Sequence, residues 1–214
     1  MTLTVAALWR YPVKTLAGEP LEVAEVTANG IVGDRVVHVR GPEGVRTSRR
    51  HHRLLGLHAV LGPDGEPLVD GRAWDAPEVL ASVRDAAGGD ATLTRFDGLD
   101  RFDILPLLVA TDGAVAEFGR DVRRLRPNIV IAGVDGMTET TWPGAELHIG
   151  DVIISLDSLR GRCPMTTVDP DTLEVDREVL KDIIRRFDGK LALNADVIEP
   201  GTIRLGDRVR LVRP

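Results

Sequence analysis

The chain has 214 residues with 43% hydrophobic and 28% charged side chains, a composition that is typical of a globular protein and excludes a disordered one. Its formal net charge of −6 argues against a nucleic-acid-binding protein, because proteins that follow phosphate backbones need a basic surface. The sequence has no run near the roughly 20 apolar residues of a membrane span and contains one cysteine, which excludes an internal disulfide, so we expect a cytoplasmic protein.

Apolar runs separated by turn residues predict short strands in the first half of the chain. We expect strands over residues 3–11, 21–27, 36–40, 57–61, 67–69 and 91–96. A Gly-Pro-Asp-Gly turn joins the fourth and fifth of these runs and predicts a hairpin. Residues 77–87 predict an amphipathic helix with Val79, Leu80 and Val83 directed inward. Strands therefore outnumber helices in this half.

The second half of the chain shows the same mixture of strands and short helices. An apolar run predicts a strand over residues 107–110, and the helix predicted after it has Thr111 as a suitable N-cap. Because N–H groups at a helix N-terminus attract anions, Thr111 is a candidate anion-binding residue. The alternating run over residues 152–156 predicts a further strand. A last predicted helix is capped by Asp176 and has an apolar stripe of Val179, Leu180, Ile183, Ile184 and Phe187.

Residues 46–53, which read Arg-Thr-Ser-Arg-Arg-His-His-Arg, form the most basic stretch of this acidic chain. The stretch has no cysteine or carboxylate at ligand spacing, which argues against a zinc site. Three interpretations stay open: the rim of an anion-binding cleft, a docking patch for an acidic partner protein, or an ordinary solvated helix start.

Arg124 and Arg126 flank Leu125 just before an apolar run. If this segment is extended, both arginines point to one face while Leu125 enters the core, since side chains alternate along a strand. Two guanidinium groups on one face would bind an anion. Asn128 adds both a donor and an acceptor. A solvated strand edge is the alternative interpretation.

Cys163 lies in the segment Arg-Gly-Arg-Cys-Pro-Met-Thr-Thr-Val-Asp-Pro-Asp-Thr, directly after a predicted strand. A lone cysteine at a strand end is often a small core residue. Here the neighbouring polar residues make a poor apolar pocket, and positive charge favours the thiolate, which attacks electrophiles and ligates soft metals. We therefore favour a functional role for Cys163. Asp169 is a candidate proton relay or simply part of an Asp-Pro-Asp turn.

The Cys163 segment is similar to the cysteine signature of MOSC-domain proteins, the family related to the C-terminal domain of molybdenum-cofactor sulfurases and including the mitochondrial amidoxime-reducing components. Tyr-Pro-Val-Lys-Thr at residues 11–15, Gly-Asp-Arg at 33–35 and Arg-Leu-Arg-Pro-Asn-Ile at 124–129 resemble further family motifs. The resemblance covers most of the chain. It implies an α+β, β-rich fold, in which a mostly antiparallel MOSC-type β-barrel at residues 97–214 packs closely against a small N-terminal β domain at residues 1–96.

The resemblance also implies a molybdenum cofactor, Mo-molybdopterin, and the residues that contact it. On the family's pattern the cofactor-binding residues are Lys14, Thr15, Arg35, Thr111, Arg124, Arg126, Asn128 and Cys163, with Cys163 as the metal ligand. Thr15 replaces the family's serine and keeps a hydroxyl, whereas Ala114 replaces a later serine and removes one contact.

The implied function is an oxidoreductase that reduces N-hydroxylated or N-oxide small molecules by oxygen-atom transfer, with Cys163 and Asp169 as catalytic candidates. The chain has neither the cysteines of an iron–sulfur domain nor a Gly-x-Gly-x-x-Gly dinucleotide motif, so electrons have to come from a separate donor protein. Two alternatives stay open. One is a sulfur carrier in which Cys163 holds a persulfide, and the other is a chaperone that binds the cofactor.

Overall fold

A computed structural model describes residues 2–96, 98 and 101–213 of the chain. The strands in these ranges are β1 Leu3–Arg10, β2 Val13–Lys14, β3 Glu19–Leu21, β4 Val23–Thr27, β5 Gly30–Ile31, β6 Val37–Gly41, β7 Gly44–Val45, β8 Ala59–Leu61, β9 Pro67–Val69, β10 Arg72–Ala73, β11 Thr92–Arg95, β12 Leu107–Thr111, β13 Ile129–Ala132, β14 Glu146–Ile149, β15 Val152–Gly161, β16 Lys190–Glu199, β17 Gly201–Arg204 and β18 Arg208–Val212. The α-helices are α1 Pro77–Ala87, α2 Asp112–Phe118 and α3 Arg177–Phe187, and 3₁₀ turns include His52–Gly56, Val122–Arg124, Thr138–Thr141 and Pro164–Thr167. No helix in the described ranges is both long and apolar enough to cross a membrane.

Seven of the described strands close into a barrel. Their order is β13-β12-β16-β15-β14-β18-β1, and a further pairing between β1 and β13 closes the ring. The pair β12–β13 is parallel, whereas the other neighbouring pairs of the ring are antiparallel. The prediction of a β-rich protein with a mostly antiparallel barrel is therefore confirmed.

Alternating sequence patterns fill the barrel interior. In β14, Leu147 and Ile149 are buried, whereas His148 between them is partly exposed. Strand β15 repeats this pattern from Val152 to Leu156. Because successive side chains of a strand point to opposite faces, a period of two directs one aliphatic face of each strand into the core.

A second hydrophobic core lies in the N-terminal part of the chain. Strands β2, β6, β7 and β11 form one small sheet, and β8, β9 and β10 form another. Helix α1 packs against this core through Val79 and Val83, which contact the cluster that contains Val37 and Leu54. The antiparallel pairing of β8 with β9 confirms the predicted hairpin.

The N-terminal part and the barrel share sheet structure. Strands β1 and β3 belong to the barrel sheet, and β4 pairs with β17 near the end of the chain. The division of the chain at residues 96 and 97 stays a prediction.

Helix α3 differs from its sequence-based prediction in the width of its apolar stripe. Val179 and Ile183 are buried, whereas Ile184 is 58% exposed. Residues four apart lie on one helix face, but Ile184 is rotated about 100° from Ile183 and faces outward. The stripe that contacts the barrel is therefore narrower than expected.

Candidate functional site

Cys163 lines a cavity of about 100 Å³ between the N-terminal part and the barrel, which we name the first cavity. Its described lining contains one carboxylate, Asp103, and six positively charged residues, Lys14, Arg35, Arg49, Arg126, Arg160 and Arg162. These residues come from separate segments of the chain, so the tertiary fold brings the charges together. In a chain of negative net charge, such a concentration of cations indicates an anion-binding cavity.

The loop that carries Cys163 is held by hydrogen bonds to its backbone. Cys163 has an extended conformation with φ of −132° and directly precedes the 3₁₀ turn Pro164–Thr167. The backbone N–H and the hydroxyl of Thr166 both donate to the Cys163 carbonyl, at 3.0 and 2.9 Å. The half-buried cysteine therefore stands on a well-defined turn at the cavity wall.

Arg160 and Arg162 precede the cysteine in the chain and line the same wall. Arg162 donates to the Leu125 carbonyl at 2.7 Å, and burial lowers its pKa to about 10. Arg160 donates to the Asn194 amide oxygen at 3.2 Å, and burial is the main cause that lowers its pKa. With a pKa of about 10, Arg162 is still protonated at neutral pH, so the wall stabilises an anion beside Cys163.

Arg126 enters the first cavity from a left-handed backbone conformation with φ of 55°. Its guanidinium carbon lies 4.1 Å from the centre of the Tyr11 ring, a cation–π distance. Its Nη2 atom is buried and has no hydrogen-bond partner in the part of the chain that the structure describes. Burial lowers the pKa of Arg126 to about 10. Because an unpaired buried donor is costly, Arg126 indicates a ligand that accepts hydrogen bonds.

The expectation that Arg124 shares a strand face with Arg126 is wrong. Residues Val122–Arg124 form a 3₁₀ turn instead of an extended strand, so the side-chain alternation of a strand does not apply to them. Arg124 donates to the Thr166 carbonyl at 3.3 Å and pairs with Asp169 at 2.8 Å. It therefore supports the cysteine loop and is not among the residues described in the lining of the first cavity.

Asp169 organises the turn that follows the cysteine loop. Its Oδ1 atom accepts hydrogen bonds from the backbone N–H groups of Asp171 and Thr172, each at 3.0 Å. The hydrogen bond from Thr172 is the largest cause that holds the pKa of Asp169 below its usual value. A proton relay needs a pKa near the working pH. The geometry therefore favours the turn-shaping interpretation of Asp169.

Asp103 holds several cations of the first cavity in place. Its carboxylate pairs with Lys14 at 2.8 Å, with Arg49 at 3.0 Å and with Arg160 at 3.2 Å. Lys14 also donates to the Arg101 carbonyl at 2.8 Å. Burial by itself would raise the pKa of Asp103, but the surrounding cations lower it below its usual value. Asp103 thus stays ionised and fixes the geometry of a wall that keeps an excess of positive charge.

Thr15 lines the first cavity, but its hydroxyl is engaged by Ser48. Its Oγ1 atom accepts a hydrogen bond from the Ser48 backbone N–H at 2.5 Å, and the two hydroxyls also contact each other. The Ser48 hydroxyl donates to the Thr15 carbonyl at 2.7 Å. This network joins the segment that carries Lys14 to the basic stretch at residues 46–53.

Asp34 anchors two other predicted site residues. Its fully buried carboxylate accepts a hydrogen bond from the Asn128 amide at 3.2 Å and forms an ion pair with Arg35. Asn128 also accepts the backbone N–H of Leu108 at 3.1 Å. Both residues line the first cavity, but the amide of Asn128 is largely used by the protein itself. Arg35 lies over the Tyr11 ring with its charge at the cavity.

Thr111 is not brought to the other predicted site residues. It caps α2 as expected, accepting the Ala114 backbone N–H at 3.3 Å. Its hydroxyl donates to Glu139 at 2.8 Å, and the residue is fully buried. Glu139 also accepts the Ala192 backbone N–H at 2.8 Å, and burial raises its pKa. The Glu139 carboxylate would repel an anion at this helix end. Thr111 therefore acts as a buried cap of the fold and not as an anion-binding residue.

Sequence reasoning did not select Arg160, Arg162 and Asp103 as site residues. The spacing of two between the arginines, at the end of an alternating strand, was a usable signal because it places both on one face. Asp103 gave no local signal, since the tertiary fold alone brings it to Lys14. The position of Arg49 at the cavity supports the rim interpretation of the basic stretch.

Comparisons with known proteins show which family the chain resembles. Residues 2–117 match the MOSC N-terminal beta barrel domain, and residues 112–210 match the MOSC domain. The human mitochondrial amidoxime-reducing component 1 is 30% identical, over 98% of this chain and 83% of its own length. The mitochondrial amidoxime reducing component 2 of Macaca fascicularis is 29% identical, over 86% of this chain and 72% of its own length. Among solved structures, the YUAD protein from Bacillus subtilis has the same fold, with a TM-score of 0.57, 12% identity and coverage of 100% of this chain and 97% of that one.

Proposed function

Because the chain belongs to the MOSC-domain family, we propose that it binds a molybdenum cofactor in the first cavity and acts as an oxidoreductase. The proposed reaction is the reduction of N-hydroxylated or N-oxide substrates by oxygen-atom transfer. One observation carries the proposal: the single cysteine of the chain lies in the wall of a cavity whose described lining includes six cationic side chains. Two relatives named as amidoxime-reducing components support this class of reaction.

The side chains of the first cavity, which has a volume of about 100 Å³, suit the phosphate and the metal of such a cofactor. The Nη2 atom of Arg126 and the Nε atom of Arg162 are buried without a hydrogen-bond partner among the described residues. Phosphate oxygens are suitable acceptors for guanidinium donors. Thiolates are ligands that soft metals prefer, and Cys163 lies in the same wall. The cavity therefore offers donors for a phosphate and a ligand for a metal.

We assign the residues the following roles. Cys163 ligates the metal, and the anionic part of the cofactor is held by Lys14, Arg35, Arg126, Arg160 and Arg162. When bound, the cofactor supplies the two-electron oxygen-atom-transfer chemistry. The chain itself fixes the position of the thiolate and neutralises the charge of the ligand with guanidinium groups that are already oriented.

The proposal includes a separate electron-donor protein and a small-molecule substrate. The one cysteine of the sequence is assigned to the metal, so the proposal places an iron–sulfur centre or other redox group on the separate donor protein. A cytoplasmic location is also part of the proposal, whereas the two relatives compared above are named mitochondrial.

The test uses protein purified from a host that makes the cofactor, with and without the substitution Cys163→Ser. It measures molybdenum per chain and N-oxide reduction with an artificial electron donor. Serine replaces a polarisable thiolate with a hard hydroxyl of similar size, so we expect loss of metal and activity at an unchanged melting temperature. Full metal content and full activity in the variant would contradict the ligand role of Cys163.

The same preparations distinguish the two alternative functions. A sulfur carrier predicts a parent protein without molybdenum that releases sulfide when treated with a reductant, and a Cys163→Ser variant that releases none. A chaperone predicts a parent protein with bound cofactor and no turnover of any N-oxide. Either result would replace the oxidoreductase proposal.

A further inference from the structure

A second cavity, of about 240 Å³, adjoins the first, and Arg126 and Met165 line both. Most of its other walls are apolar or aromatic, and they include Trp9, Tyr11, Pro20, Leu55, Val168 and Pro170. Cys163 is not among the residues described in this lining. The second cavity is therefore separate from the proposed metal site, although it shares one arginine with the proposed cofactor cavity.

The size and walls of the second cavity suit a single ring. An apolar cavity of about 150 Å³ is large enough to bind benzene, so 240 Å³ accommodates a six-membered ring with a short substituent. The side chains of Trp9 and Tyr11 provide flat surfaces against which a ring packs well. Leu55 and Val168 are buried, so this part of the wall is preformed.

Three arginines line the second cavity, and two of them are neutralised by the protein. Arg123 pairs with two aspartates at 2.7 Å each, and Arg124 pairs with a third at 2.8 Å. Arg126 has no carboxylate at ion-pair distance in the part of the chain that the structure describes, and its buried Nη2 atom lacks a hydrogen-bond partner there. At the rim, His58 lies 3.9 Å from the Asp70 carboxylate. The wall thus has one buried guanidinium that no carboxylate neutralises.

We propose that the second cavity binds a small molecule that consists of one hydrophobic ring and one carboxylate. The ring packs against Trp9, Leu55 and Val168, and the carboxylate accepts hydrogen bonds from Arg126. Arg126 lines both cavities, and a guanidinium has five N–H donors, so it donates to the cofactor phosphate from one side and to the carboxylate from the other. A neutral ring would leave this charge without a partner in the second cavity, and a small inorganic anion would leave the apolar walls without contacts. A ligand with both groups contacts the apolar walls and accepts the hydrogen bonds of Arg126.

The experiment is a calorimetric titration of the purified protein with benzoate, and with benzamide and acetate as matched controls. We expect benzoate to bind with a Kd of about 1 mM or tighter. Benzamide keeps the ring and loses the charge, whereas acetate keeps the charge and loses the ring, so each should bind at least about 10-fold more weakly. Undetectable benzoate binding, or equal binding of the three compounds, would overturn the proposal.

Two variants distinguish the cavities. Val168→Trp fills the second cavity and Arg160→Met removes a charge from the first, and neither residue lines the other cavity. Benzoate affinity should fall at least about 10-fold in Val168→Trp and stay within about 2-fold of the parent in Arg160→Met. The reverse pattern would place the anion in the first cavity and refute the proposal. If Val168→Trp does not fold, nuclear Overhauser effects between benzoate ring protons and the methyl groups of Leu55 and Val168 in the parent protein decide the question.

Discussion

Asp34→Asn tests the hydrogen-bond network that positions two cavity residues. The buried carboxylate accepts the Tyr11 backbone N–H at 2.7 Å and the Asn128 amide at 3.2 Å, and it pairs with Arg35. Asparagine has nearly the same shape, but its amide nitrogen is a donor that would face the donors of Asn128 and Arg35. The substitution therefore changes hydrogen bonding and charge without opening a cavity in the core.

The magnitude follows from the burial of the pair. Removing one partner of a buried ion pair destabilises a protein by about 3–5 kcal/mol, because the remaining charge is left uncompensated. The Arg35 side chain is 16% exposed, so water compensates its charge in part and the lower end of this range is expected. Since folded proteins are stable by only about 5–15 kcal/mol, the loss is a large fraction of the total.

Guanidinium chloride unfolding at pH 7 measures this loss as a lower midpoint with an unchanged m-value. Asp64→Asn is the matched control, because Asp64 is an exposed turn residue whose Oδ1 accepts the Glu66 backbone N–H at 3.1 Å, and asparagine keeps that acceptor. The control should stay within about 0.5 kcal/mol of the parent. If Asp34→Asn also stayed within about 0.5 kcal/mol of the parent, the anchoring role of Asp34 would be refuted.

Arg126→Met should lower the cofactor content of the purified protein at least about 10-fold, because the cavity loses a charged donor, whereas Arg10→Met removes an ion pair outside both cavities and should leave the content unchanged. Equal content in the two variants would contradict the anion-binding role. Asp169→Asn keeps an oxygen that accepts the N–H groups of the turn, so the pH profile of turnover should match that of the parent. Loss of one limb of this profile would show that Asp169 acts as a proton relay. Glu139→Gln leaves one buried N–H group without an acceptor and should lower the free energy of unfolding in urea by about 1–3 kcal/mol. Burial raises the pKa of Glu139, so as the pH rises through 4.5 the carboxyl of the unfolded chain ionises before that of the folded protein. The difference in unfolding free energy between the parent and Glu139→Gln should therefore shrink with rising pH. A difference that grows with pH would contradict the raised pKa.

The barrel and the cysteine loop were predictable because local patterns report on them directly. Strict alternation in residues 152–156 indicates a strand with one buried face, and the structure places it in β15. A lone cysteine that follows two arginines indicates a reactive environment, and both Arg160 and Arg162 line the cavity with Cys163. In each case a property of adjacent residues is sufficient for the prediction.

The conformation of the second arginine-rich segment was not predictable from such patterns. The alternation of Arg124 and Arg126 around Leu125 suggested an extended segment with both arginines on one face. The structure instead has a 3₁₀ turn, which Asp121 caps by accepting the Arg123 backbone N–H at 2.8 Å. The position of Arg126 further depends on the Tyr11 ring, which lies more than a hundred residues away in the chain. A local cap and a long-range ring contact together determine the positions of these arginines.

The concentration of cations in the first cavity has a cost in stability that a bound anion would offset. Burial lowers the pKa of Arg160, and repulsion from Arg35 lowers it further, so the folded state bears the cost of holding these charges close together. Asp103 balances part of this charge and fixes its geometry, but one carboxylate leaves most of the positive charge of the described lining uncompensated. A phosphate group bound among these side chains would reduce their repulsion and accept the unpaired hydrogen bonds of Arg126 and Arg162. Because a ligand that binds only the folded state stabilises it, the charges that lower the stability of the fold would increase its affinity for such an anion.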